Sequence, residues 1–372
     1  MMNVSITSRS RVRAGIGWIR VLSAAFLCVL AASCAPSLKT VRVPSNAVAD
    51  EARVQRELSL RTLADHWQRS ARIHYTIVRN AGTLGGKKSR QDFGLTLHDL
   101  TFYPTPDRDI AAKLFGAGDR VTVRDVLPDS PAAAAGMRQG DTLVSINGTA
   151  LGERHTAQAV ELLKIPSEGP CTIEIQVLRA GRVRALRLTS TQVCDIPAFV
   201  VSSDAVNAYT DGSRVFVTTG MLNFAERDED LALVVGHEIA HAALGHVTKR
   251  RVNSLLGSLV DAVVQVKTGF DTGGLGQRMG GIVFSRAFEA EADYLGAYLA
   301  ARAGYDLHGA PQFWRKMSQD HPGSSRSNFF STHPTSPERF VALERIVQEI
   351  RDKQERKLPL EPDRKSESAS RE

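Results

Sequence analysis

His237-Glu238-Ile239-Ala240-His241 lies in an apolar helical stretch, and no other feature of the 372-residue chain restricts its fold as tightly. Four residues advance about 400° around a helix, so the two imidazoles share one face, a turn apart, and can grip a single ion. Zinc suits such a pair, with imidazole nitrogens at about 2.0–2.1 Å, four ligands in all and one position kept for solvent. Glu238 projects beside the pair, where it can take a proton from water and hand it to a leaving amine. One protein ligand is still missing, so a second element has to pack against this helix.

His246 is a poor source for that ligand. It lies nine residues from His237, a rotation of about 900° that puts it on the opposite side of a continuing helix. The metzincin spacing would place a glycine at 244 and a third histidine at 247, where the chain has Leu244 and Val247. His246 therefore reads as structural or as support for a ligand. A better source, Glu289, lies 48 residues past His241, in SRAFEAEADYLGAYLA. Glu289 and Asp293 are four apart and share a helix face, while Glu291 turns about 200° away. Glu289 would complete a site of two histidines and one carboxylate. Asp293 would accept the free N–H of a ligand histidine and fix its tautomer.

The rest of the chain divides around this pair of helices. Residues 46–79 carry leucines, isoleucines and Trp67 at helical spacing, and 82–91, GTLGGKKSRQ, read as a linker. Residues 92–192 look β-rich: Ser130 can cap a short helix begun by Pro131, Gly136 can end it, and Gly140-Asp141 leads into a strand over 142–146. Asn147-Gly148 makes a tight turn, and Ala180-Gly181 joins a hairpin whose register puts Cys171 opposite about residue 190. Cys194 lies about four residues beyond that pairing, so a bridge to Cys171 is left open. Asp211-Gly212 reads as a second hairpin turn, Asp228-Glu229-Asp230 open the His237 helix, and helices are expected over 285–302 and 337–357. The apolar stretch 255–284 is broken by Asp261, Lys267 and Asp271, which favours a buried helix or membrane-facing flap over a span. The charged end, 351–372, is expected to be disordered after the last helix.

SPAAAAGM, GD and ING in succession resemble a PDZ domain of the bacterial kind over 92–192. In that family a strand like FGLTL borders a groove that accepts an extended peptide or a C-terminus, which places Phe93, Gly94 and Leu95 at the groove. The segment 98–120 is longer than usual. HEIAH, SRAFEAEAD, VNAYTDGSRVFVTTGML and STHPTSPERF together resemble the zinc metallopeptidase family of the CAAX prenyl proteases, HtpX and BepA, over 195–350. The resemblance implies one Zn2+ per chain held by His237, His241 and Glu289, Glu238 as general base and Asp293 behind a ligand. It implies that Val206, Asn207, Ala208 and Tyr209 lie on an edge along which substrate is extended. It matches His333 to a histidine that approaches the metal, either blocking it at rest or stabilising the transition state, and Arg339 to a residue tying that loop to the core. The expected fold class is α+β, a mainly helical zincin-type domain with a small sheet plus a β-rich PDZ domain.

The N-terminus adds a location. Arg9, Arg11, Arg13 and Arg20 precede an apolar run over 21–30 and the small residues before Cys34, which reads as an export signal over 1–33. Leu-Ala-Ala-Ser-Cys resembles a bacterial lipobox, with Ala31 where a large aliphatic residue is usual, so Cys34 becomes the lipidated start of an anchored segment reaching 91. Ala35 after it favours the outer membrane. Without 1–33 the formal charge of +7 falls to 43 basic against 40 acidic side chains, and no Lys/Arg stripe with aromatics argues for nucleic acid. The chain thus reads as a lipid-anchored zinc endopeptidase of the bacterial envelope acting on proteins or peptides. The rival readings are a PDZ scaffold or chaperone-like protein with a latent zinc site, and a zinc hydrolase for cell-wall links.

Overall fold

The structure, a computed structural model, describes residues 38, 41–153, 155–165, 169–255, 258, 285–320, 329, 333 and 336–363. The export segment, Cys34 and nearly all of 255–284 lie outside the described residues. Two units are distinguished, 1–55 and 56–372. Helix α1 (Ser45–Asn80) starts in the first and runs on into the second, where Ile73, Ile77 and Val78 are buried. It is unbroken. Among the described residues no helix is long and apolar enough to cross a membrane.

The stretch read as a linker is structured. A 3₁₀ turn at Gly82–Gly85 leads to β1 (Ser89–Asp92), which pairs antiparallel with β8 (Thr191–Cys194) and so closes the β-rich module onto its own end. Its polar residues hid the strand, because hydrogen bonds rather than apolar burial hold it: buried Gln91 accepts from Ser190 Oγ at 2.6 Å. Inside the module the strand order is β2-β3-β4-β6-β7, with β5 (Thr149–Ala150) on β4. These strands are β2 (Leu95–His98), β3 (Thr122–Val126), β4 (Thr142–Ile146), β6 (Thr172–Arg179) and β7 (Arg182–Thr189). Local signals set the turns as expected. Ser130 Oγ accepts from Ala133 N to cap the one-turn helix Pro131–Ala134, and Asn147-Gly148 and Ala180-Gly181 both take positive φ. Thr172 pairs with Thr189, which sets Cys171 beside Ser190. Both cysteines are free thiols, and Cys194 donates to the Gly85 carbonyl.

Two boundaries move. Phe93 and Gly94 precede β2 rather than belonging to it, since Gly94 has φ +67° and a Cβ there would stand 2.1 Å from Ser130 Cβ. In the second sheet, β9 (Ala198–Val201) pairs in parallel with β11 (Val215–Thr218), and β10 (Ala208–Thr210) pairs antiparallel with β11 at its other side. The β10–β11 turn centres on Gly212-Ser213, one residue later than expected. Asp211 Oδ1 accepts from the amides of Ser213 and Arg214, which holds Asp211 as the flanking residue, with its N–H bonded to Arg214 O.

The helical part holds α5 (Asp228–Ala243), α6 (Arg286–Arg302), α7 (Ala310–Asp320) and α8 (Pro337–Glu355), counting Arg108–Phe115 as α2, Pro131–Ala134 as α3 and Thr156–Leu163 as α4. One core joins them to Ile73 and Ile77 of α1 and to Val215 and Val217 of the small sheet. The chain end departs from expectation. Residues 358–363 fold back on α8, where Lys353 Nζ donates to Glu361 O and pairs with Asp363, and the Asp363 amide donates to Tyr294 Oη. Leu360 packs against the core. Composition read this segment as unstructured, and one apolar residue with a lysine clamp sufficed to hold it.

Candidate metal centre

Helix α5 is buried along its whole central length, Leu231 to His241, and α6 lies against it. The reason is a contact between two glycines. A Cβ on Gly236 would stand 2.6 Å from the Gly296 carbonyl oxygen, and one on Gly296 would stand 2.7 Å from His237 N. The helices therefore touch backbone to backbone one residue before the first histidine. Gly296 lies three past Asp293 and seven past Glu289, on the same face, so this close crossing presents Glu289 to both imidazoles and Asp293 to that of His237.

His237, His241, Glu289 and His333 each offer one donor atom, all within 4.8 Å of one another, and all four side chains are buried. His241 Nε2 lies 3.0 Å from His237 Nε2 and 3.4 Å from Glu289 Oε1. His333 Nδ1 lies 3.0 Å from Glu289 Oε1 and 3.3 Å from His237 Nε2. Each motif histidine is backed on its other nitrogen: His237 Nδ1 is 3.0 Å from Asp293 Oδ1, and His241 Nδ1 is 3.0 Å from His246 Nδ1. His246 in turn meets Glu291 at 3.0 Å and stacks on Phe288. His246 can reach His241 because α5 ends at Ala243 and the chain turns through Gly245 at φ +69°, which voids the continuing-helix geometry.

Glu238 is fully buried and neither carboxylate oxygen has a hydrogen-bond partner among the described residues; its nearest ionisable neighbour is His333 Nε2 at 3.4 Å. Burial raises its pKa, against the pull of His333 and His237. Burial would raise Glu289 too, but His333, His241 and His237 outweigh it and hold that carboxyl well below the usual range. Two imidazoles and one carboxylate that converge, each motif ring fixed from behind, with an orphan buried carboxylate alongside, fit a zinc ion and its solvent.

Arg339 ties the site together more directly than expected. Its Nε and Nη2 reach the two Asp293 oxygens at 2.8 and 2.9 Å, Nη1 pairs with Glu289 at 2.9 Å, and Nη1 also donates to the His333 carbonyl. Arg339→Ala leaves two buried carboxylates without this cation, a loss of about 3–5 kcal/mol for breaking such a network. A melting curve should fall accordingly, and Arg339→Lys should recover it only in part because it lacks the fork.

The edge residues divide. Ala208 and Tyr209 lie on β10, at one end of its sheet, whereas Val206 and Asn207 precede it. Asn207 is tied to Thr218, and the Val206 carbonyl accepts from Phe329 N, on the segment whose Phe329 ring stacks on His333 at 4.4 Å. In the other module a cavity of about 930 Å³ opens between β2 and α4, lined by Phe93, Leu95, Leu97, Val160 and Leu163. Gly94 does not line it. Buried Asp99 sets its width by accepting from Thr156 N, the start of α4, at 2.6 Å.

Residues 181–347 match Peptidase family M48, and 122–177 match a PDZ domain. The metal centre thus lies within the stretch that resembles peptidase family M48. It is 34% identical over 149 residues to the mitochondrial metalloendopeptidase OMA1 of Arabidopsis thaliana, covering 39% of this chain and 30% of that protein. Human metalloendopeptidase OMA1 is 31% identical, covering 40% and 32%, and the beta-barrel assembly-enhancing protease of Escherichia coli K12 is 27% identical, covering 41% and 34%. The chain thus spans about a third of the length of these relatives. The solved HtrA3 PDZ domain with a phage-derived ligand aligns at 18% identity with a TM-score of 0.22, covering 28% of this chain and 89% of that one.

Proposed function

We propose that this protein is a zinc-dependent endopeptidase that cuts misfolded or misassembled proteins of the bacterial envelope, held to the outer membrane by a lipid on Cys34. The observation that carries the activity is Glu238, a buried carboxylate with no hydrogen-bond donor among the described residues, set beside converging His237, His241 and Glu289. When bound, zinc polarises a carbonyl and eases the ionisation of water. The chain's own residues do the rest: Glu238 carries the proton from water to the leaving amine, and Asp293 and His246 hold the ligand rings. The β10 edge at Tyr209 keeps the substrate extended. The location rests on the export signal and Cys34.

His333 supports a resting state in which its ring fills the corner of the site that substrate needs. Metal analysis of the full chain should give one zinc, and digestion of an unfolded protein should stop with chelator and return with zinc. In the same assay His333→Ala should cut faster than wild type. A slower variant assigns His333 to the transition state instead, and silence in both supports a scaffold with a structural metal.

A further inference from the structure

We propose that the outward face of the three-stranded sheet is a polypeptide-binding track joining the PDZ groove to the edge strand beside the metal centre. Phe199 on β9 pairs with Phe216 on β11, and Phe216 with Tyr209 on β10. Their rings stand in one cross-strand row with centroids 5.8 and 5.0 Å apart, inclined by 27° and 19°. Ala208, Val215 and Val217 on the opposite face are buried in the core with α5, so alternation turns the aromatic row outward. Phe199 is 48% and Tyr209 39% exposed, and Arg214 lies over Phe216 as a polar rim. Two exposed rings joined through half-buried Phe216 make an apolar strip of the kind that marks a binding surface.

The two ends of the row say what covers it. Phe199 and Pro197 also line the cavity between β2 and α4, so the row begins inside the PDZ groove. Tyr209 ends it on β10, an edge strand of the sheet among the described residues. A groove and an edge that each accept an extended chain are thus linked by flat apolar rings, a distance that roughly three extended residues span at about 3.3 Å each. The occupant is an extended, apolar-rich polypeptide that leaves the groove across the rings, with Arg90, Arg124, Lys164, Asp92 and Asp195 as a mixed charged lining of the groove.

This inference rests on the peptidase reading for the fate of the chain at β10, but binding can be measured apart from cutting. The full chain carrying Glu238→Gln is titrated against labelled, reduced and carboxymethylated α-lactalbumin, an unfolded chain, by fluorescence anisotropy. Phe199→Ala with Phe216→Ala should weaken binding about tenfold, and Phe216→Leu, which keeps the bulk but not the flat ring, should weaken it less, with melting temperature and zinc content held. An unchanged Kd overturns the track. So does a loss that appears only as dissociation of a dimer in sedimentation, or as release from phosphatidylglycerol vesicles, since those occupants would be a second copy or a membrane. If Glu238→Gln cuts as well as wild type, the peptidase reading falls and the binding result still decides the track.

Discussion

Glu238→Gln is expected to bind one zinc per chain and to hydrolyse an unfolded protein about 10²–10⁴ times more slowly than the wild type, the range a positioned general base contributes. The substitution keeps the shape of the side chain and leaves His237, His241 and Glu289 untouched. What it removes is the buried carboxylate beside the cluster that can accept a proton and later release it. Stability gives an independent check. A fully buried carboxylate with no donor among the described residues is costly to keep ionised, and a neutral amide is cheaper to bury, so the metal-free variant should melt at the wild-type temperature or above it. Loss of zinc together with loss of activity would mean that Glu238 builds the site. Retained hydrolysis would remove it from the chemistry altogether.

Much of this site was legible because helical spacing is arithmetic. His237 and His241, and Glu289 and Asp293, are each four residues apart, and a four-residue step fixes a shared face before any tertiary contact is known. The same arithmetic misplaced His246, since it assumed that the helix continued past Ala243; Gly245 at positive φ turns the ring back onto His241. Turn chemistry was equally local in the PDZ module, where Ser130, Asn147-Gly148 and Ala180-Gly181 act through neighbours in sequence. Strand β1 was hidden because a polar two-stranded ribbon shows no apolar alternation, and its partner lies about 100 residues away. Arg339 bonding Glu289 and Asp293 at once, and the row Phe199, Phe216 and Tyr209, arise from the pairing of separate elements. No periodicity along the chain displays them.

The glycine crossing can be tested against its own sign. Gly296→Ala should destabilise the protein, although in an open helix the same change gains roughly 1 kcal/mol from propensity. The added Cβ would meet His237 N, His237 Cα and the Gly236 carbonyl carbon at 2.7 to 2.9 Å, all of them backbone atoms that no rotamer can move. Helix α5 has to shift, at a cost of about 1–3 kcal/mol for such overpacking. The shift carries His237 and His241 away from Glu289 and Asp293, and disturbing ligands or the groups behind them lowers metal affinity by about 10–100-fold. Zinc affinity by competition with a chelating dye and melting temperature should therefore fall together. Gly236→Ala meets the Gly296 carbonyl at 2.6 Å and should do the same, with the double variant costing less than the sum because both relieve one contact. Gly118→Ala, at a position with nothing within 4 Å, should change neither quantity. A Gly296→Ala protein that melted higher and held zinc as tightly as wild type would show that α5 and α6 have slack between them. The approach of the two helices would then owe nothing to the glycines, and the pairing of imidazoles with carboxylates would need another cause.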